Sequence, residues 1–353
     1  QYVYSFGKCI FMPADLTAGI EFNQDKLEDN MWGYHRTVDQ KVNIGSAFFQ
    51  NEWKNEHWGF LIGGRLDKHN LIDHVIFSPR ANLRYNPTEN INLRFSYSSG
   101  FRAPQAFDED LHVENVGGNV AMVELADNLK EERSQSLSAS ADIYHRFGAF
   151  QVNFLVEGFY TKLSDVFALT DGEVVDGILT RTRYNAPGAR VMGLTLEGKM
   201  AYLTKFQVQA GVTLQQSHYS EPHVWNKEAP AVKKMMRTPN TYGYFTATYT
   251  PIKPLSIALS GTYTGSMLVP HEPVPGFLEK PITVNTKDFF DIGLKAAYDF
   301  KLYKSMNLQV NAGVQNIFNA YQNDFDKGAD RDSGYIYGPS LPRSFFAGVK
   351  ISY

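Results

Sequence analysis

Hydrophobic and polar positions alternate with a period of two along almost the whole chain. Val75, Phe77, Pro79, Ala81, Leu83 and Tyr85 oppose Ser78, Arg80, Asn82, Arg84 and Asn86. Ile91, Leu93, Phe95 and Tyr97 oppose Asn92, Arg94, Ser96 and Ser98. Phe206, Val208, Ala210, Val212 and Leu214 oppose Gln207, Gln209, Gly211, Thr213 and Gln215. The chain closes in the same way. Phe345, Ala347, Val349, Ile351 and Tyr353 share one face against Ser344, Gly348, Lys350 and Ser352, with Phe346 breaking the pattern. Successive side chains of a strand point to opposite faces, so this pattern predicts β-strands, and no stretch of similar length shows helical spacing.

The pattern divides the chain into about fifteen strands, with boundaries good to a few residues. They are 1–12, 15–27, 37–54, 57–69, 74–87, 90–102, 133–147, 149–167, 180–203, 205–219, 240–250, 254–266, 287–303, 305–318 and 342–353. The connections alternate in length. Tight links at Pro13-Ala14, Lys54 to Glu56, Pro87 to Glu89, Phe147 to Ala149, Thr204, Pro251 to Pro254 and Lys304-Ser305 are interleaved with long ones near 28–36, 103–132, 168–179, 220–239, 267–286 and 319–341.

Alternation alone also fits a soluble sandwich with one wet face. Length decides against it, because soluble strands most often run about five or six residues and many here run well past ten. Short turns on one side and long loops on the other mark outer-membrane barrels. Facing follows from cost. Arg80, Arg84 and Arg94 turned to lipid would each cost roughly 2–4 kcal/mol near the midplane, so their face is expected to line the lumen. Lipid supplies no hydrogen-bond partner, so such a sheet must close on itself. The expected fold is therefore all-β, an antiparallel transmembrane β-barrel. About fifteen strands are present of a probable twenty-two, the size of plugged outer-membrane transporters. The whole of 1–353 reads as the C-terminal part of that barrel domain.

Composition narrows the chemistry. The formal net charge is -3 over 353 residues, which gives no sign of nucleic-acid binding. The single cysteine, Cys9, excludes an internal disulfide and a thiolate metal cluster. No run of about eighteen apolar residues occurs, so no transmembrane helix is expected, which says nothing against strands. No nucleophile elbow, H-E-x-x-H or phosphate loop is present, so the chain is not expected to be an enzyme.

Four motifs then resemble a known family. Phe101-Arg102-Ala103-Pro104 resembles the F/Y-R-A-P box of TonB-dependent outer-membrane receptors. Asn128 to Ser134 resembles their N-L-K-P-E-x-S segment, with Glu131 where proline is usual. Val314 to Asn319 resembles V-x-N-L-F-D, and Tyr337-Gly338-Pro339 with Pro342-Arg343 resembles the segment leading into the final strand. They occur in the family's order and spacing over essentially the whole chain. Met235 to Pro239 and His271-Glu272-Pro273 resemble receptors of Bacteroidota.

The resemblance implies a plugged barrel in the bacterial outer membrane. It implies uptake of a scarce small nutrient, of the iron-siderophore, haem or cobalamin class, with energy from the TonB complex acting through an N-terminal region outside this chain. Outer-membrane lipid and the nutrient are the implied partners, a surface lipoprotein is compatible, and no cofactor is implied. A passive porin or a structural barrel is the alternative.

Candidate ligand contacts follow. His112 lies after the F-R-A-P box, where the resemblance places an axial haem ligand; the plain alternative is a solvated loop histidine. Asp324, Asp326, Asp330 and Asp332 have oxygen ligands at near-alternate spacing that suit calcium, although Lys327 and Arg331 favour a charge-balanced loop. Trp225, Phe277 and Tyr335 lie in outer loops where rings can stack on a flat ligand. Tyr219 and Tyr337, at strand ends, fit an interfacial girdle. Arg102 shares the face of Arg80, Arg84 and Arg94, which serves either as a structural network or as a path for an anionic siderophore.

Overall fold

The computed structural model describes residues 1–34, 36–105, 121–170, 173–175, 178–303, 305–328, 331–339 and 341–353. Its first half is β1 (Tyr2–Cys9), β2 (Met12–Met31), β3 (Arg36–Lys54), β4 (Trp58–His69), β5 (Ile76–Thr88) and β6 (Ile91–Arg102). Then come β7 (Ala121–Leu125), β8 (Glu132–Phe147), β9 (Phe150–Ser164), β10 (Val166–Leu169), β11 (Glu173–Val175) and β12 (Ile178–Ala186). The remainder is β13 (Ala189–Tyr202), β14 (Phe206–His223), β15 (Val232–Lys234), β16 (Thr241–Ile252), β17 (Leu255–Thr264), β18 (Leu268–His271), β19 (Ile282–Asn285), β20 (Phe289–Tyr303), β21 (Met306–Gln315) and β22 (Ser344–Ser352). One 3-10 turn, Trp32–Tyr34, is the sole helical segment among the described residues.

Fifteen strands form one continuous meander in the order β1-β2-β3-β4-β5-β6-β8-β9-β13-β14-β16-β17-β20-β21-β22. The expected count for the wall is met. Two expectations change. The stretch 180–203 is two strands, because Pro187 and Gly188 break it. β12 turns away to pair with β10, β11 and β7, while β13 pairs with β9 and β14. The link expected near 28–36 is mostly strand, since β2 and β3 stay paired from Ala14↔Trp53 to Met31↔Arg36 and form a tall hairpin.

Register gives the wall two faces. Met200, Val208, Ala247, Leu259, Leu294, Val314 and Phe345 are successive cross-strand partners over seven strands. One residue along lies the rung Asn153, Lys199, Gln209, Thr246, Ser260 and Gly293. A one-residue slip would exchange the faces, so the pattern read from sequence and the pairing specify each other.

Among the described residues no element packs over the apolar face of this single layer. Ile20 is 86% exposed and Phe345 is 78% exposed. So large an uncovered apolar surface is the pattern expected of a sheet face that meets lipid. The short-turn rim of the same face carries aromatic pairs: Trp58–Tyr85 at 4.2 Å, Phe150–Tyr202 at 4.6 Å and Tyr298–Phe300 at 4.6 Å between ring centroids. Rings at that level form the interfacial girdle of an outer-membrane barrel. β1 pairs only with β2 and β22 only with β21, so the described wall is an open arc, the partial wall expected of about fifteen strands.

Candidate functional site

Two regions gather chemistry: the polar face of the wall and the long-loop rim above it. On the polar face, Arg84 sits directly opposite Arg94, and Arg80 sits opposite Ser98. The shared face expected of Arg80, Arg84 and Arg94 is therefore present. Arg84 also donates to the carbonyls of Asn55 at 3.0 Å and Trp58 at 3.4 Å, which fixes it at the short-turn end.

Two inner-face networks were not singled out from sequence. Arg65 donates to Asp67 at 2.7 Å, to Glu21 at 3.0 Å and to Ser46 at 2.7 Å, and Ser46 donates to Asp67 at 2.6 Å. Glu197 takes Lys199 Nζ at 2.8 Å and the hydroxyl of Tyr244, which accepts in turn from Gln209 at 2.7 Å. Each member has lumen parity, so alternation marked the face, while the partnerships needed the register.

At the rim, the guanidinium groups of Arg102 and Arg183 both lie over the Phe167 ring, 5.6 Å and 5.2 Å from its centroid. This ties the end of β6 to the small sheet of β10 and β12. The weakly hydrated guanidinium suits such a ring contact. Glu131, the departure from the family's usual proline, is buried. It accepts from Arg133 at 2.7 Å and lies 3.1 Å from His74 Nε2, joining the β4–β5 link to the start of β8. Burial alone would raise its pKa, but its own backbone amide, Arg133 and His74 outweigh burial and hold the carboxyl below its usual range.

The last loop folds around a small core of Met267, Val269 and Tyr335, with Val284 and Tyr337 against it. Tyr335 is 3% exposed and its ring stacks on His271 at 3.8 Å. It is a packing residue here, not the surface ligand contact expected. Asp326 meets His271 Nε2 at 2.9 Å. Asp332 accepts from the amides of Glu272 and Gly334, both at 2.8 Å, and Asp324 accepts from Tyr337 at 2.6 Å. Burial and then Asp324 push the phenols of Tyr335 and Tyr337 upward, so both remain neutral donors. Tyr337 thus belongs to this loop network rather than to the girdle.

These carboxylates are each engaged by hydrogen-bond donors of the loop itself. Among the described residues no set of three His, Cys, Asp or Glu side chains is grouped to hold a metal, so the calcium expectation finds no cage in Asp324, Asp326 and Asp332. Asp330 and His112 lie outside the described residues. Phe277 is 76% exposed on the connection between β18 and β19. Trp225 is half-buried with its indole Nε1 enclosed and without an acceptor. The two loops that carry them are tied by Asn226 Nδ2 donating to Glu272 at 2.9 Å.

Residues 4–317 match the family model described as TonB dependent receptor-like, beta-barrel, and the chain belongs to that family. No curated protein matches it. Among solved structures, the ferric enterobactin receptor PfeA of Pseudomonas aeruginosa, a mutant in complex with enterobactin, is 18% identical with a TM-score of 0.69, covering 98% of this chain and 53% of that one. The siderophore receptor PirA of Acinetobacter baumannii is 18% identical with a TM-score of 0.66, covering 98% and 53%. The FrpB iron transporter of Neisseria meningitidis is 16% identical with a TM-score of 0.63, covering 95% and 52%. At these identities the shared property is the fold, and the chain spans about half the length of each.

Proposed function

We propose that this chain forms the C-terminal part of the barrel wall of an outer-membrane receptor that imports a scarce small nutrient of the iron-siderophore, haem or cobalamin class. The observation that carries the reading is the two-faced wall in a chain of this family: one apolar face continuous from β1 to β22, one polar face, and every long loop on the same rim. The polar face offers passage and the rim offers capture. Trp225, Phe277 and Arg102 are the ligand contacts proposed at the rim. The work is binding and transit, not bond chemistry.

Two unpaired edges in hydrocarbon leave rows of unsatisfied backbone groups, so the arc functions only when further strands close it. A plug and a TonB-contacting segment complete the proposed machine, with energy supplied from the inner membrane.

The test is radio-iron uptake by an outer-membrane strain whose sole receptor is the intact gene product. Saturable uptake that disappears when TonB is deleted supports the reading. Unsaturable uptake that persists without TonB would assign the protein to the passive porins. Replacing His112→Ala decides the haem branch, since haem uptake that survives intact removes it.

A further inference from the structure

One rung on the apolar face of the wall is cationic. Gln135 on β8 pairs with Lys162 on β9, Lys162 with Arg190 on β13, Arg190 with His218 on β14, and His218 with Lys234 on β15. The rung below is Leu137, Tyr160, Met192 and Gln216, and the next is Ala139, Gly158, Leu194 and Leu214. These positions share the parity of Val208 on β14 and so face outward. From Phe150, in the girdle at the short turns, to Lys162 the strand extends roughly 40 Å at about 3.4 Å per residue. A tilt of about 40° leaves about 30 Å of height, against an apolar band about 25 Å tall. The rung therefore stands just beyond the band, at the level of lipid headgroups on the long-loop side.

No acid balances this rung on its own face. Among the described residues, β6, β8, β9, β13, β14 and β15 carry no carboxylate at an outward position; Glu132, Asp142, Glu157, Glu197 and Glu221 alternate to the inner face. Glu131, above the rung, is already held by Arg133 and His74. Among the described residues Lys162, Arg190, His218 and Lys234 have no side-chain hydrogen bond or ion pair. Lys162 directly opposite Arg190 is a like-charge pair, which costs a sheet stability. Directly beneath, an open groove of about 810 Å³ crosses the same face. Leu137, Tyr160, Met192 and Leu194 line it and are exposed. Ala139 and Gly158 form its floor, and a Cβ at Gly158 would meet nothing within 4 Å. Guanidinium and ammonium groups suit phosphate oxygens, and an apolar groove suits an acyl chain.

We infer that the outer face of β8, β9, β13 and β14 binds a lipid with a phosphate headgroup, its phosphate on Lys162 and Arg190 and an acyl chain in the groove below. The inference rests on the lipid-facing reading of the apolar wall and is independent of which nutrient the receptor carries. Charge complementarity selects this occupant. A second copy of the chain, meeting the same patch across a two-fold axis, would set these cations against themselves.

The intact receptor in non-ionic detergent is titrated with dipalmitoyl phosphatidate, dipalmitoylglycerol or inorganic phosphate, and bound molecules are counted by native mass spectrometry. Phosphatidate is expected to bind about tenfold or more tightly than the uncharged lipid, the effect of two basic residues beside an anionic headgroup. Lys162→Gln/Arg190→Gln is expected to erase that preference. The exchange Lys162→Arg/Arg190→Lys is expected to keep it, and shows that the fold accepts both changes. Gly158→Leu fills the groove and is expected to weaken both lipids several-fold. The charge-matched control is Lys26→Gln/Lys41→Gln, an outward lysine pair on the β2–β3 hairpin whose Lys26 meets Glu28 at 3.4 Å; it is expected to leave the preference unchanged. A preference that survives Lys162→Gln/Arg190→Gln, or that falls equally in the control, overturns the site. Inorganic phosphate displacing phosphatidate while Gly158→Leu has no effect overturns the lipid in favour of a soluble anion. A receptor dimer that dissociates in Lys162→Gln/Arg190→Gln overturns it in favour of a second copy. Absence of TonB-dependent uptake in the wild type would sink the transport reading and leave these lipid ratios to stand or fall separately.

Discussion

Single residues here act through what lies directly across the strand. Gly211 is opposite Tyr244, and a Cβ at Gly211 would come within 2.8 Å of that ring. The missing side chain lets the ring lie flat over the backbone and carry its hydroxyl to Glu197. Gly211→Val is expected to displace Tyr244 and cost about 1–3 kcal/mol, the range for overpacking. Gly198→Ala, where nothing lies within 4 Å, is the matched control. Denaturant midpoints of the intact receptor in detergent would separate the two; equal midpoints would refute the ring-over-glycine account. Glu131 makes a second residue-scale case. Its folded pKa is depressed, so its stabilising contribution is complete above the unfolded carboxyl value, about 4.3. The contribution is lost as pH falls through the lower folded value. Glu131→Gln leaves Arg133 and His74 with a weaker acceptor and is expected to cost about 1–3 kcal/mol at neutral pH, with the difference from wild type closing under acid. Hydrogen exchange at 70–75 and 131–133 reads this, and a difference that widened on acidification would contradict it.

Elements repeat one device, a long hairpin closed below by a short turn and opened above into a loop. That device was legible in the chain, because a single-layer sheet with one apolar and one polar face carries period two on every wall strand. The short loop strands were not. β11 and β15 have three residues each, too few for any period to register. Their pairing is long-range, as in the parallel match of β7 to β12. The split of 180–203 did carry a local sign, the Pro187-Gly188 dipeptide, and a Cβ at Gly188 would fall 2.1 Å from the Leu163 carbonyl oxygen. The candidate site divides in the same way. Parity placed Arg80, Arg84, Arg94 and Arg102 together, whereas Tyr335 read as a surface ring because its burial depends on β18, β19 and His271. That dependence predicts an element-scale response. His271→Ala removes the stacking partner and the contact to Asp326, and is expected to speed amide exchange at Tyr335 and Tyr337 by tenfold or more, about 1.4 kcal/mol of local opening. Exchange in β20 and β21 is expected to stay unchanged. Faster exchange throughout those strands would show that the loop core supports the wall, contrary to the separate roles assigned here.

Orientation of the whole molecule rests on the inequality between its faces. Either face could meet water, but only one can meet hydrocarbon. Leu259 and Ser260 are adjacent on β17, and their partners Ala247 and Thr246 continue the apolar and polar rungs. An arginine placed on a lipid-facing residue near the midplane costs roughly 2–4 kcal/mol, while one in an aqueous bore costs little. Leu259→Arg is therefore expected to lower the denaturant midpoint of the intact receptor folded into lipid vesicles, and Ser260→Arg to leave it nearly unchanged. The pair holds strand, height and substituent constant and varies only the face, so propensity or turn geometry cannot produce the difference. Equal losses would indicate an arc covered on both sides, and the reverse order would turn the wall inside out. That second result would also place Arg80, Arg84 and Arg94 against lipid, at a cost summing to several kcal/mol from three residues alone. The shared face of these arginines and the facing of the barrel thus stand on the same parity, and one adjacent pair of substitutions tests both.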